Sequence, residues 1–161
     1  MCGDDIERGK RGDNLLNQTV STRVWLVLLH AERGEFEQGL RLGHEALQLA
    51  QGVQGGDHER LWARCAIGRL RVVRGDFEAA IQTLEPVVLV SERDFPVYIP
   101  RVVSSLGVAY AALGSIEKGL RLLHRAEEKA RSMSFRFGYA LVLAQLAEVL
   151  LMANNIGKAH T

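Results

Sequence analysis

Few side chains in this sequence could do chemistry, and they are scattered. Histidines stand at His30, His44, His58, His124 and His160, and cysteines at Cys2 and Cys65. A metal site needs several such groups converging, and a helix offers them most simply as His-x-x-x-His on one face. No such pair occurs, and no histidine lies near a cysteine at ligand spacing. His30 is expected to sit partly buried between helices. Cys65 has no neighbouring base to activate its thiol, so an ordinary helix-packing role is expected. Gly55-Gly56 lacks the Lys-Ser/Thr that follows in a phosphate-binding loop. Neither paired carboxylates nor a nucleophile–base–acid triad emerges at useful spacing. Two Arg-Gly-Asp triplets, at Arg11-Gly12-Asp13 and Arg74-Gly75-Asp76, read as turn chemistry and not as an adhesion signal. These residues predict no enzyme, no metal and no cofactor.

The groups that remain must act by position, which shifts attention to the elements that carry them. Apolar residues make up 47% of the 161, enough to bury a core. Twenty Lys and Arg face 19 Asp and Glu, a net charge of +1 that gives no global pull toward nucleic acid or an anionic membrane. Neither partner is therefore expected. Met1 to Asn17 is polar and lacks the apolar centre of a signal peptide. The longest apolar stretches are Val24 to Leu29, too short for a membrane span, and Ala140 to Ala153, interrupted by Gln145 and Glu148. With only two separated cysteines, a reducing, cytoplasmic setting is expected.

A repeat organises the chain. Arg33-Gly34-Glu35-Phe36-Glu37-Gln38-Gly39 is echoed by Arg74-Gly75-Asp76-Phe77-Glu78-Ala79-Ala80 and by Leu113-Gly114-Ser115-Ile116-Glu117-Lys118-Gly119. A fourth echo is Asn154-Asn155-Ile156-Gly157-Lys158-Ala159. From Gly34 to Gly75 is 41 residues, from Gly75 to Gly114 39, and from Gly114 to Asn154 40. Gly or Asn ends one helix, the next polar residue caps the following one or favours its positive end, and a small residue further on lets the two helices approach closely. Apolar spacing is helical throughout. First helices are predicted over 18–33, 58–74, 97–113 and 137–153, second helices over 36–51, 77–91 and 116–132, with a stub from 156. Residues 1–17 form a polar tail, and 18–161 divide into repeats 18–56, 57–95, 96–135 and a partial 136–161. Pro96 and Pro100 fall where a helix begins. Pro86 falls inside one and predicts a kink or an early end. The fold class is all-α: a right-handed superhelical solenoid of antiparallel hairpins, about 3.5 repeats.

These residues resemble the tetratricopeptide repeat family, most closely at Leu106-Gly107 with Tyr110, at Gly114 and at Ala126. The period near 40 resembles longer-helix variants in bacterial signalling proteins. Ser21 to Leu26, Ala31 to Phe36 and Pro100 to Tyr110 resemble the repeat region of bacterial adenylate/guanylate cyclase-like and AAA-type ATPase regulators. The resemblance implies a scaffold whose first helices line a concave groove that holds a protein or peptide segment; the alternative is a groove sensing a small regulatory ligand. It places Ser21, Val24, Leu28, Trp62, Cys65, Arg69, Arg101, Ser104, Val108, Leu141, Ala144 and Glu148 along that groove. Trp62, Arg69 and Arg101 are its best anchors, because aromatic residues and Arg dominate binding hot spots. The last first helix is apolar nearly all round, so Tyr139, Leu143, Leu150 and Leu151 are expected to mediate self-association, as a homodimer.

Overall fold

The computed structural model describes residues 2–53, 56–133 and 138–159, with side chains described over 15–53, 56–133 and 138–154. Among the described residues, seven α-helices follow one another: α1 (Cys2–Glu32), α2 (Phe36–Gln51), α3 (Asp57–Arg74), α4 (Phe77–Arg93), α5 (Ile99–Ala112), α6 (Ile116–Ser132) and α7 (Tyr139–Ala159). A short 3-10 helix, Pro96–Tyr98, leads into α5, with Pro100 in the first turn of α5 where its missing N–H costs nothing.

The repeated turns are built alike. Gly34, Gly75 and Gly114 hold φ of 74°, 89° and 87°, a left-handed backbone that only glycine adopts without penalty. The following N–H then reaches back across the helix end: Glu35 to the His30 carbonyl, Asp76 to Arg71 and Ser115 to Tyr110, each at 2.9 Å. The polar residue after each glycine was expected to cap the next helix through its side chain; no such bond forms. Those side chains turn the other way. Glu35 accepts from Arg33 Nε at 2.8 Å, and Asp76 from Arg74 Nε at 3.2 Å. The Arg74-Gly75-Asp76 triplet is thus part of a helix turn.

Each hairpin packs antiparallel on itself and on the next, and the first helices also touch in the order α1, α3, α5, α7. This is an all-α helical repeat solenoid. Interdigitation of large and absent side chains holds the layers. A Cβ on Gly43 would meet the Ile67 side chain, and one on Gly68 would meet Leu84. Gly107 and Gly119 face one another across α5 and α6, so that a Cβ on Gly119 would lie 2.6 Å from the Gly107 carbonyl oxygen. Val20, Val24, Val27, Leu70, Leu84, Val103, Leu123 and Val149 are fully buried between layers.

Two expectations need correction, and of the kink or early end expected at Pro86 the early end does not occur. Residues 2–17 are not a tail but the first half of α1. Their polarity hid the fact that no proline interrupts them and that Glu7 and Arg11 stand at a helix-supporting i, i+4 spacing. The turn expected at Asn154-Asn155 does not form; α7 runs through it to Ala159, so there is no second-helix stub from 156. Asparagine enters the left-handed backbone only at a cost that glycine avoids, and no proline follows it to stop the helix. Pro86 does not end α4, which continues to Arg93. Pro86 is exposed, so the carbonyl it leaves without an N–H lies on a face water can reach.

Candidate functional site

Helical period decides which side chains the stacked first helices present. Counting back from the turn residues Gly34, Gly75, Gly114 and Asn154, the positions six before are Leu28, Arg69, Val108 and Glu148. The positions nine before are Trp25, Ala66, Ser105 and Gln145. All eight line two adjoining cavities on one face of the stack, of about 440 and 500 Å³, which share Glu32, Arg69 and Leu141. Together they make a groove, half open to solvent, that crosses α1, α3, α5 and α7.

The first cavity is aromatic and aliphatic with a charged rim. Trp25 and Trp62 meet edge to face, ring centroids 5.7 Å apart, and Trp25 stays 45% exposed despite its size. Leu28 and Leu141 complete the apolar wall. Arg69 donates from Nη2 to Glu32 at 3.0 Å, its side chain largely covered while that of Glu32 is open to solvent. Arg101 lies deeper. Burial lowers its pKa, and the nearby Arg69 charge adds to the effect. A guanidinium nonetheless stays charged at neutral pH. Cys65 lines the same cavity, its thiol pushed up to about 12 by burial, so it is neutral and inert. The second cavity carries Val108, Ala144 and Glu148. It also holds Gln145, which is 5% exposed and whose Oε1 has no hydrogen-bond partner.

The structure brings together nine of the twelve residues predicted for a groove and leaves out three, Ser21, Val24 and Ser104. Trp62, Arg69, Arg101, Val108, Leu141 and Glu148 line it. Val24 is fully buried in the core beneath α1. Ser104 is buried to 1% and donates to the Arg101 carbonyl at 3.2 Å, facing away from the groove. The error was one residue of phase: of the positions ten before each turn, only Cys65 and Ala144 reach the cavities, whereas all four at nine do. Reading that column would have found Trp25, Ser105 and Gln145 from sequence alone.

On the outer face of α7, Leu143, Leu150 and Leu151 are exposed by 41, 45 and 63%. Tyr139 departs from that group: it is half-buried, and its hydroxyl donates to Glu127 Oε1 of α6 at 2.9 Å.

Beside the groove, the Tyr98 hydroxyl donates to His58 Nε2 at 2.7 Å, and His58 Nδ1 lies 3.3 Å from Glu59 Oε1. The order matches a catalytic relay, but the nucleophile does not. Burial pushes the Tyr98 hydroxyl up and away from ionisation, the opposite of activation. His58 is also wedged among the Trp62, Phe95 and Tyr98 rings, where it joins α3 to the start of α5. Among the described residues no three His, Cys, Asp or Glu side chains converge to hold a metal, and no helix is long and apolar enough to cross a membrane.

Residues 18–86, spanning the first two hairpins as far as the proline of α4, match the tetratricopeptide repeat family. That likeness supports a repeat whose members typically mediate protein–protein contacts without catalysis. No curated protein and no solved structure matches the chain.

Proposed function

We propose that this protein is a non-catalytic binding module that holds a segment of a partner protein in the groove formed by α1, α3, α5 and α7. The carrying observation is the exposed edge of the Trp25–Trp62 pair inside a concavity also lined by Arg69 and Arg101. A large aromatic surface left in water at the base of a groove is where a partner gains most on binding. The groove is open along its length and continues into the second cavity, a shape suited to a chain segment rather than to an enclosed small ligand. The long repeat period fits a role in a signalling assembly. The exposed leucines of α7 fit self-association at the other face of that helix.

The test is selection of peptides from a random library displayed within a carrier protein, followed by affinity measurements on groove and outer-face variants. Trp62→Ala or Arg69→Ala should each cost about 2 kcal/mol or more of binding, the size of a hot spot. Arg64→Ala, on the face of α3 turned toward α2 and α4, should change it little. Equal losses from all three, or no selected peptide at all, would overturn the proposal.

A further inference from the structure

We infer that the hollow between α2 and α4, which shares no lining residue with the groove, binds a small phosphate monoester through Arg64 and Arg71. The repeat itself singles out the place. Arg23 and Arg64 each stand eleven residues before a turn glycine, Gly34 and Gly75, and Glu45 and Pro86 each stand eleven after it. In the first repeat the pair closes, with Arg23 Nε donating to Glu45 Oε2 at 3.2 Å. In the second repeat Pro86 stands where that carboxylate would be. Arg64 makes no hydrogen bond or ion pair among the described residues. The exchange also removes a helical hydrogen bond from the middle of α4.

The hollow has the room and the charge for an anion. Its volume is about 330 Å³. Arg64, Ile67 and Arg71 follow one another at spacings of three and four, on one face of α3. Arg71 is held in place, its Nη1 donating to the Ala79 carbonyl at 3.0 Å and to the Thr83 hydroxyl. Both guanidiniums carry a permanent charge. His44 and Gln82 add N–H donors to the walls, and among the described residues no carboxylate lines them. A single carboxylate from a ligand would balance one of the two charges. A phosphate monoester carries close to two at neutral pH and presents three acceptor oxygens to the guanidinium forks. The space beyond the phosphate, over Leu47 and Ile67, suits a short carbon group.

The experiment titrates the whole chain with glycerol phosphate and with acetate at constant ionic strength, following the backbone amide signals of α3 and α4 by NMR. Glycerol phosphate should saturate in the millimolar range, and acetate should bind about tenfold more weakly. Arg64→Gln should weaken glycerol phosphate by about tenfold or more, the worth of a hydrogen bond to a charged group. Pro86→Glu, which restores the carboxylate of the first repeat, should weaken it as much, whereas Pro86→Gln should change it little. Both Pro86 variants should melt no lower than the wild type, because each returns an N–H to the helix. No saturation by glycerol phosphate, undiminished binding to Arg64→Gln, or equal binding to the two Pro86 variants would overturn the proposal. So would a capped phosphoserine peptide that binds about tenfold more tightly than the free ester, since the ligand would then be a modified protein. Should the Pro86 variants not fold, Arg64→Gln, at an exposed side chain, still decides. The groove reading is untouched by any of these results, because Arg64 lies outside the groove.

Discussion

Cys65 and Glu35 show how burial and neighbours set what single residues do. With its pKa raised to about 12 by burial, the Cys65 thiol holds roughly 1000-fold less thiolate than an ordinary cysteine at the same pH. In a Cys2→Ser variant, a disulfide reagent at mildly alkaline pH should label Cys65 only as the chain unfolds; prompt labelling of the folded protein would contradict the burial seen here. Glu35 is the reverse case. Its hydrogen bond to the His30 ring, with Arg33 adding to it, holds its carboxyl below the ordinary range. A depressed pKa contributes stability at high pH that is lost as pH falls through the folded-state value. Glu35→Gln should therefore flatten the fall in melting temperature below about pH 4.5, which thermal scans across that range would read. At this scale the family resemblance, carried over repeat by repeat, set Trp62, Arg69 and Arg101 along the groove, and all three line its first cavity. Gln145 was read only as an interruption of an apolar helix, although its position nine before Asn154 sets it in the same column as Trp25 and Ser105.

Between elements, glycine does two separate jobs, and substitution separates them. At Gly114 the backbone is left-handed and a Cβ would meet nothing within 4 Å, so Gly114→Ala should cost about 1 kcal/mol through conformation alone. At Gly119 the backbone is ordinary, but a Cβ would press on the Gly107 carbonyl at 2.6 Å and on Ala111 at 2.7 Å. Gly119→Ala should cost about 1–3 kcal/mol by forcing α5 and α6 apart. Equilibrium unfolding in urea compares the two, and a smaller loss at Gly119 than at Gly114 would contradict the close packing. Helix positions were readable from the turn period because glycine's freedom is local. The ends of the array were not. Asn154 carries the same motif position as the glycines but lacks their backbone freedom, and α7 passes through it; the polar stretch before Gln18 holds no proline, and α1 runs through its glycines.

For the molecule as a whole, two surfaces matter, one at the end of the stack and one across it. One is the outer face of α7, where Leu143, Leu150 and Leu151 remain in water. Sedimentation at micromolar concentration should show a dimer that Leu151→Glu converts to monomer; a monomeric wild-type chain would mean that face meets something else. The other surface is the groove. The chain holds two tryptophans, Trp25 and Trp62, and both lie in the aromatic cavity, so tryptophan emission reports on that place alone. Titrating a selected, tryptophan-free peptide while recording emission is the most direct test of the central claim. The account predicts a saturable shift in emission whose midpoint matches the affinity measured independently. A peptide that binds with full affinity and leaves the emission unchanged would place recognition outside the groove and contradict it.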